Sequence, residues 1–289
     1  MIKVEGLRYA YPGARRPVLD GLEFHVGRGE VFGLLGPSGA GKSTTQKILM
    51  GLLRPDAGHA TVFGAPIASQ GRGYYERIGV SFELPALYLR LSAIENLRLF
   101  AALYDRPTRD PMEVLALLDL ADDAGKRVEA FSKGMKMRLN LCRALLHDPE
   151  LLFLDEPTTG QDPARARLTR ELVKTLKREG KTVFLTTHNM PEAEEICDRV
   201  AFLSGGCIPV CGSPAELKRQ YGQRILRVSI RRGDAIESID FPMDDIGGNG
   251  HFLALLRASE VVSMHTLEAS LDDIFINATS QNAQAAEPA

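Results

Sequence analysis

The stretch from position 36 to position 44 constrains this chain more than any other feature. It matches the phosphate-binding pattern G-x-x-x-x-G-K-[ST] and consists of Gly36, Pro37, Ser38, Gly39, Ala40, Gly41, Lys42, Ser43 and Thr44. The apolar run Val31 to Leu35 predicts a buried parallel strand before it, and residues 44–53 predict a helix after it. This strand–loop–helix order is the context that the pattern requires. The sequence therefore predicts an α/β fold with a phosphate site.

The residue types of this loop suit a nucleotide triphosphate. Glycines let successive backbone N–H groups point inward and form a nest for an anion, and the following helix adds its positive N-terminal end. We expect Lys42 to reach the β- and γ-phosphates and the Ser43 hydroxyl to ligate a magnesium ion that bridges them.

Composition limits the possible partners. The net charge over 289 residues is −2, so no overall field attracts nucleic acid or an anionic membrane, and no nucleic-acid partner is expected. The four cysteines are scattered, which favours reduced thiols in a cytosolic protein. No apolar run approaches the roughly 20 residues that span a bilayer, and the N-terminus lacks a signal-peptide core. We expect any membrane role to come through a partner chain.

Acidic residues and a histidine follow three further predicted strands. The run Leu151 to Glu156 ends in two acids: Asp155 is predicted to hold the magnesium and Glu156 to act as general base on water. His188 ends the next predicted strand, at the same edge, where a γ-phosphate contact competes with a purely structural role. Glu83 ends the predicted strand 77–83, and its side chain is expected to project toward the phosphate site.

Patterning along the chain predicts three regions. Residues 1–215 are predicted to form a nucleotide-binding domain, with antiparallel strands in residues 2–26 and a helical subdomain inserted at about 88–148. Within that insert, Ser92 and Glu95 form a capping-box pair, and Ser132 is placed to cap another helix. Residues 216–279 are predicted as a small α+β extension, and residues 280–289 as a disordered tail.

In this order the motifs resemble the nucleotide-binding subunit of an ATP-binding cassette (ABC) transporter. Residues 36–44 resemble its Walker A loop, and residues 151–156 its Walker B strand with the catalytic Glu156. The segment Ser132 to Met135 resembles the family signature, in which Ser132 and Gly134 bind nucleotide. Asp162 resembles the D-loop aspartate, and His188 the switch histidine.

Tyr11 resembles the aromatic residue that stacks on adenine, although taken by itself it is better interpreted as a surface tyrosine beside a Pro-Gly turn. Ser-Lys-Gly-Met at the signature and the segment 270–275 are similar to single-cassette subunits of ABC-2-type exporters, including drug-efflux ATPases. The resemblance covers residues 2 to about 215 and extends into the remainder of the chain.

The resemblance implies a P-loop ABC cassette: a RecA-like parallel sheet with an antiparallel β subdomain, an inserted helical subdomain and a C-terminal extension. It implies ATP and Mg²⁺ as cofactors. It also implies a homodimer, or a heterodimer with a second cassette, that closes head to tail over two ATP molecules. A separate transmembrane permease subunit would hold the chain on the cytoplasmic face of the membrane and would carry the transported substrate.

Three positions depart from the family pattern. Glu83 stands where the Q-loop usually has glutamine; it either ligates magnesium or mainly relays contact with the membrane subunit. Met135 replaces the last glutamine of the signature, as the exporter subgroup tolerates. Gln161 replaces the usual D-loop leucine, so we expect looser packing at the dimer interface there.

Two other functions compete with ATP-driven export. A soluble ABC ATPase acting on the ribosome or on DNA usually fuses two cassettes or carries a long coiled coil, and this sequence shows neither. A regulatory module without hydrolysis would not need Asp155, Glu156 and His188 together. The sequence therefore favours an ATPase that powers transport through separate membrane subunits.

Overall fold

A computed structural model describes residues 1–222, 225–267 and 269–277, so the predicted disordered tail at 280–289 lies outside the described residues. The chain divides into one compact unit, Met1–Ser213, and a second that begins at Pro214. The predicted boundary between residues 215 and 216 falls inside a helix, Pro214–Tyr221, which belongs to the second unit.

The strands are β1 (Ile2–Tyr9), β2 (Leu19–Val26), β3 (Val31–Leu35), β4 (Ala57–Val62), β5 (Ala65–Pro66), β6 (Ile78–Ser81), β7 (Leu151–Asp155), β8 (Thr182–Thr187), β9 (Arg199–Ser204), β10 (Cys207–Gly212), β11 (Ile225–Arg232), β12 (Ala235–Pro242) and β13 (Glu260–Leu267). The helices are α1 (Lys42–Leu49), α2 (Arg72–Tyr75), α3 (Ala93–Ala101), α4 (Pro111–Leu117), α5 (Lys133–Leu145), α6 (Pro163–Arg178), α7 (Met190–Ile196), α8 (Pro214–Tyr221), α9 (Gly250–Ala258) and α10 (271–277). Single 3₁₀ turns occur at Ile67–Ser69, Ala121–Asp123, Val128–Ala130 and Ile246–Gly248.

The central sheet of the first unit has the strand order β10-β9-β3-β8-β7-β6, parallel except at the β10 edge. Every residue of β3, β7 and β8 is buried, as expected where helices and a second layer cover both faces of a parallel sheet. The carboxyl ends of these three neighbouring strands converge at one edge. The predicted parallel core is confirmed.

An antiparallel sheet of order β2-β1-β4-β5 forms the other layer, and its first two strands alternate buried and exposed residues. Three stacked rings join the two layers: Phe24, Phe32 and Phe184 have centroids 5.4–5.9 Å apart. This predicted antiparallel element is confirmed as well.

The predicted helix caps are confirmed, whereas several predicted ends are wrong. Ser92 and Glu95 form both hydrogen bonds of a capping box, and the Ser132 side chain accepts from the Met135 N–H. Helix α1 begins at Lys42 and stops at Leu49 rather than spanning 44–53, because Gly51 takes a left-handed conformation (φ 73°) just after it.

Strand β6 ends at Ser81, two residues before the predicted end at Glu83. The cause is a side chain: the Asn140 amide donates to the Phe82 carbonyl (2.8 Å) and so takes the backbone group that would continue the ladder.

The second unit contains an antiparallel sheet of order β12-β11-β13 with α9 packed on one face through Phe252 and Leu255. The sequence predicted strands and turns in this region but missed α9, although Asn249 is a suitable N-cap for it and accepts from the Phe252 N–H. Helix α10 follows Ser270, and Ser270 and Asp273 form a reciprocal cap at its start.

Candidate nucleotide site

A cavity of about 310 Å³ lies at the carboxyl ends of β3, β7 and β8. Segments that are far apart in the sequence meet there because these strands are neighbours in one parallel sheet. Open α/β sheets bind their ligands at this carboxyl-end edge. The lining residues are Tyr11, Val18, Ser38, Gly39, Gly41, Lys42, Ser43, Thr44, Glu83, Asp155, Glu156 and His188.

Two glycines give the phosphate loop its shape. Gly36 (φ 155°) and Gly41 (φ 110°) have backbone conformations that other residues rarely adopt. A Cβ at Gly36 would lie 2.4 Å from the Leu203 carbonyl oxygen, and one at Gly41 would lie 2.8 Å from Leu19 Cδ2. Glycine is therefore required at both positions by conformation and by space.

Lys42 is the cation of the loop, and its side chain folds back over it. The ammonium group donates to the carbonyl oxygens of Gly36 (2.7 Å) and Pro37 (3.1 Å). Burial lowers the pKa of Lys42, and the negative charges of Glu156, Asp155 and Glu83 act in the opposite direction. The ammonium thus lies among backbone oxygens at the point where a phosphate would enter.

Oxygen atoms suited to Mg²⁺ meet beside the loop. Ser43 Oγ donates to Asp155 Oδ2 (3.1 Å), and Thr186 Oγ1 donates to the other carboxylate oxygen of Asp155 (2.5 Å). Glu83 lines the same cavity with an exposed side chain. Within the part of the chain that the structure describes, no three His, Cys, Asp or Glu side chains converge as a metal cluster. The donors therefore fit a hard cation that takes further ligands from phosphate and water.

Glu156 is the most constrained side chain of the cavity. Its backbone is left-handed (φ 49°), and its N–H donates to the Thr186 carbonyl (2.9 Å). The carboxylate accepts from the His188 backbone N–H (3.0 Å) and from Thr187 Oγ1 (3.0 Å), and His188 Nδ1 lies 2.7 Å away. Fixed in this way at the cavity wall, the carboxylate can accept a proton from a water molecule that enters the cavity.

Tyr11 occupies the rim of the cavity. Its hydroxyl lies 3.1 Å from Thr44 Oγ1, and its ring meets the edge of Tyr9 at a centroid distance of 5.0 Å. Tyr11 is 41% exposed, so part of this aromatic residue can contact a flat ligand such as a nucleobase.

Gly36, Pro37 and Ala40 of the loop are not among the lining residues, and three predicted nucleotide-binding residues outside the loop do not line this cavity either. Ser132 is exposed at the start of α5, and Asp162 caps α6 by accepting from two backbone N–H groups. Gly134 packs so closely on the turn before α6 that a Cβ would lie 2.9 Å from the Gly160 carbonyl oxygen.

Two site residues were missed by sequence reasoning. Thr186 and Thr187 end β8, where Thr186 pairs in register with Asp155 and Thr187 with Leu35, the last residue before the loop. A hydroxyl pair just before His188, on the strand next to the one that ends in Asp155, was the available signal.

Comparison with known proteins identifies relatives along the whole chain. Residues 19–159 match the family model described as ABC transporter, and residues 224–268 match the one described as fluoroquinolone efflux ABC transporter C-terminal domain. A fluoroquinolones export ATP-binding protein of Mycobacterium tuberculosis is 53% identical over 282 residues, which cover 97% of this chain and 94% of the relative. The linearmycin resistance ATP-binding protein of Bacillus subtilis is 36% identical over 279 residues (94% and 85%).

Solved structures agree with these relatives. An ATP-binding subunit of an ABC transporter superimposes with a TM-score of 0.73 at 28% identity and covers 96% of this chain and 99% of its own. A dimeric bacterial ABC transporter cassette gives a TM-score of 0.68 at 25% identity, covering 74% and 98%. Among the described residues, none of the helices has the length and apolar character to cross a bilayer.

Proposed function

This chain belongs to the ABC transporter family, and from that premise we propose that it powers export of fluoroquinolone-type molecules through a separate membrane subunit. It is an ATP-binding subunit and an ATPase of that family. The observation that carries the proposal is the meeting of Lys42, Asp155 and Glu156 around one cavity of about 310 Å³. The match of residues 224–268 to a fluoroquinolone-efflux domain supports the substrate class.

Six of the lining residues take a role in this proposal. Lys42 neutralises the β- and γ-phosphates, and Ser43 with Asp155 holds the magnesium ion, which supplies charge neutralisation in the transition state. Glu156 accepts a proton from the attacking water, and His188 links this base to the γ-phosphate. Tyr11 stacks on the adenine ring.

Two cassettes complete the site. Ser132, Gly134 and Asp162 lie outside their own cavity, and the Ser132 hydroxyl and the N-terminus of α5 are exposed. We place them against the phosphates bound by a second cassette, since a helix N-terminus favours an anion. A two-fold dimer of this chain alone makes both sites equivalent, whereas a dimer with another cassette has two sites of different composition.

The membrane subunit docks, in this proposal, on an apolar groove of about 380 Å³ in the first unit. Its wall includes Leu52 and Leu103, which are 55% and 63% exposed, and also Phe82, whose neighbour Glu83 lines the nucleotide cavity. Adjacent residues thus connect the groove with the site. Docked there, the chain is peripheral on the cytoplasmic face of the membrane.

Affinity purification of the tagged chain from its own host tests the assignment. We expect a polytopic membrane protein to copurify, and Leu103→Glu to abolish this while ATP binding persists. Leu99→Glu is the matched control, because Leu99 is exposed on α3 but lies outside the groove. Ribosomes or DNA in place of a membrane protein would reverse the assignment in favour of a soluble ABC ATPase.

A further inference from the structure

Glu192 is a buried carboxyl group next to the proposed base and has no role in the mechanism described above. It lies in the first turn of α7 and is 3% exposed. Its Oε2 lies 3.4 Å from Thr187 Oγ1, and the same hydroxyl lies 3.0 Å from Glu156 Oε2. One threonine hydroxyl therefore lies between two acidic side chains.

Counting hydrogens shows what this arrangement requires. The Thr187 hydroxyl has one hydrogen to donate and two lone pairs to accept with. The Asn189 N–H donates to one lone pair of Thr187 Oγ1 (3.0 Å), which leaves one hydrogen and one lone pair for the two acidic side chains. The Thr187 hydrogen is better donated to Glu156, because that contact is the shorter of the two. The contact with Glu192 is then a hydrogen bond only if Glu192 supplies the hydrogen, which means that its carboxyl group is protonated.

The surroundings of Glu192 favour this neutral form. Within the part of the chain that the structure describes, its Oε1 has no hydrogen-bond partner, which costs less for a neutral carboxyl than for a carboxylate. Burial raises the pKa of Glu192 to about 7; the Thr158 hydroxyl opposes this shift and the charge of Glu156 adds to it. Arg170 of α6 favours the charged form, but it is paired with Glu195 (2.6 Å). Cys197 also faces Glu192, and burial raises the pKa of its thiol, which keeps it neutral.

We propose that Glu192 is a positioning residue that acts in its protonated form by donating to Thr187, which turns the Thr187 hydroxyl toward the base Glu156. Ionised Glu192 would instead compete for the Thr187 hydrogen and place a second negative charge beside the base. The Glu156 carboxylate would then lose one of the hydrogen bonds that hold it. This inference rests on the proposed role of Glu156 as general base.

The test is the pH dependence of ATPase kcat/KM, which reports groups of the nucleotide-free protein, between pH 6 and 9. The wild type should decline on the alkaline side as Glu192 ionises. Glu192→Gln, whose amide donates at every pH, should lack this decline. Glu192→Met, of similar length but without a donor, should fall below Glu192→Gln by about tenfold, the scale of one hydrogen bond to a charged group. KM for ATP should change little.

Three controls separate the possible failures. Glu194→Gln, at an exposed position of the same helix, should keep the wild-type profile. In a Thr187→Val background, Glu192→Gln and Glu192→Met should become equal, because the link to Glu156 is gone. Full turnover by Glu156→Gln would instead refute the proposed base.

Two results would overturn the inference itself. One is an alkaline decline that persists in Glu192→Gln. The other is equal activity of Glu192→Gln and Glu192→Met while Thr187 is intact. If Glu192→Met does not fold, as judged by thermal unfolding, the profile of Glu192→Gln decides alone.

Discussion

The charged form of Lys42 is disfavoured by burial, yet its ammonium group is positioned where a ligand phosphate would bind. The ammonium group is largely removed from water and bonded to two loop carbonyls; burial lowers the Lys42 pKa, and three carboxylates around the cavity oppose that shift. A triphosphate would add much closer negative charge, and charge-assisted hydrogen bonds to phosphate are about twice as strong as neutral ones. Most of the binding contribution of this side chain is therefore expected to appear only with nucleotide present.

Lys42→Ala should lose ATP binding, because it removes the cation that the loop presents to the phosphates. The measurement is a fluorescence titration with a labelled ATP analogue. Lys47→Ala is the control, since Lys47 lies in the last turn of the same helix, away from the loop. Equal affinity of Lys42→Ala and Lys47→Ala would contradict the assigned role.

Glu83 lies between the apolar groove and the nucleotide cavity. It follows Phe82, which lines the groove, and its own exposed side chain lines the cavity. A carboxylate is a stronger magnesium ligand than the amide usual at this position, and the cation offsets the added negative charge. We therefore expect ligation of magnesium rather than only contact with the membrane subunit.

Glu83→Gln should raise the free magnesium concentration that gives half-maximal ATPase activity, and Glu83→Ala should raise it further. Both variants should melt at the wild-type temperature, because the side chain is exposed. The measurement is ATPase rate against free magnesium at saturating ATP. Superimposable curves for all three proteins would rule out ligation and leave the coupling role.

Among the elements, helix α5 has an exposed start to which the proposal assigns a function. Ser132 caps it, and the N-terminal N–H groups form a partly positive surface outside the cavity of the same chain. Asp and Asn cap helices about as well as Ser, so the charge of the cap can be changed without loss of the cap.

Ser132→Asp should lower ATPase activity at least tenfold relative to Ser132→Asn, because its carboxylate would repel the phosphates bound by the partner cassette. The melting temperature of Ser132→Asp should nevertheless not be lower than that of Ser132→Asn, because a negative charge at a helix N-terminus stabilises the helix by about 0.3–1 kcal/mol. The comparison is ATPase rate and melting temperature of both variants. Equal rates would place the signature segment away from the nucleotide.

Elements were predictable where their signals are local. The capping boxes, the buried strands and the loop between β3 and α1 follow from residues that are neighbours in the sequence. The end of β6 was not predictable, because the Asn140 side chain from α5 takes the carbonyl of Phe82. Likewise Thr187 and Glu192 gain their significance only when β7 and β8 pair and α7 packs behind them.

At the scale of the whole molecule, the cavity of a single chain contains only some of the predicted nucleotide-binding residues. The cavity gathers the loop, the two acids and His188, whereas Ser132, Gly134 and Asp162 lie elsewhere on the first unit. The family resemblance predicted this separation through its head-to-tail dimer, which periodicity and motif spacing could not do. The central claim is therefore that ATP joins two cassettes and that hydrolysis by Glu156 separates them.

The most direct test of that claim is the mass of Glu156→Gln measured by light scattering after size exclusion. Loss of the general base should slow hydrolysis by about 10²–10⁴ and so preserve the ATP-bound state. We predict that ATP with magnesium doubles the mass from one chain to two. Ser132→Asp combined with Glu156→Gln should stay at one chain while still binding ATP. A mass of one chain for Glu156→Gln at saturating ATP and magnesium, with nucleotide bound, would contradict the account.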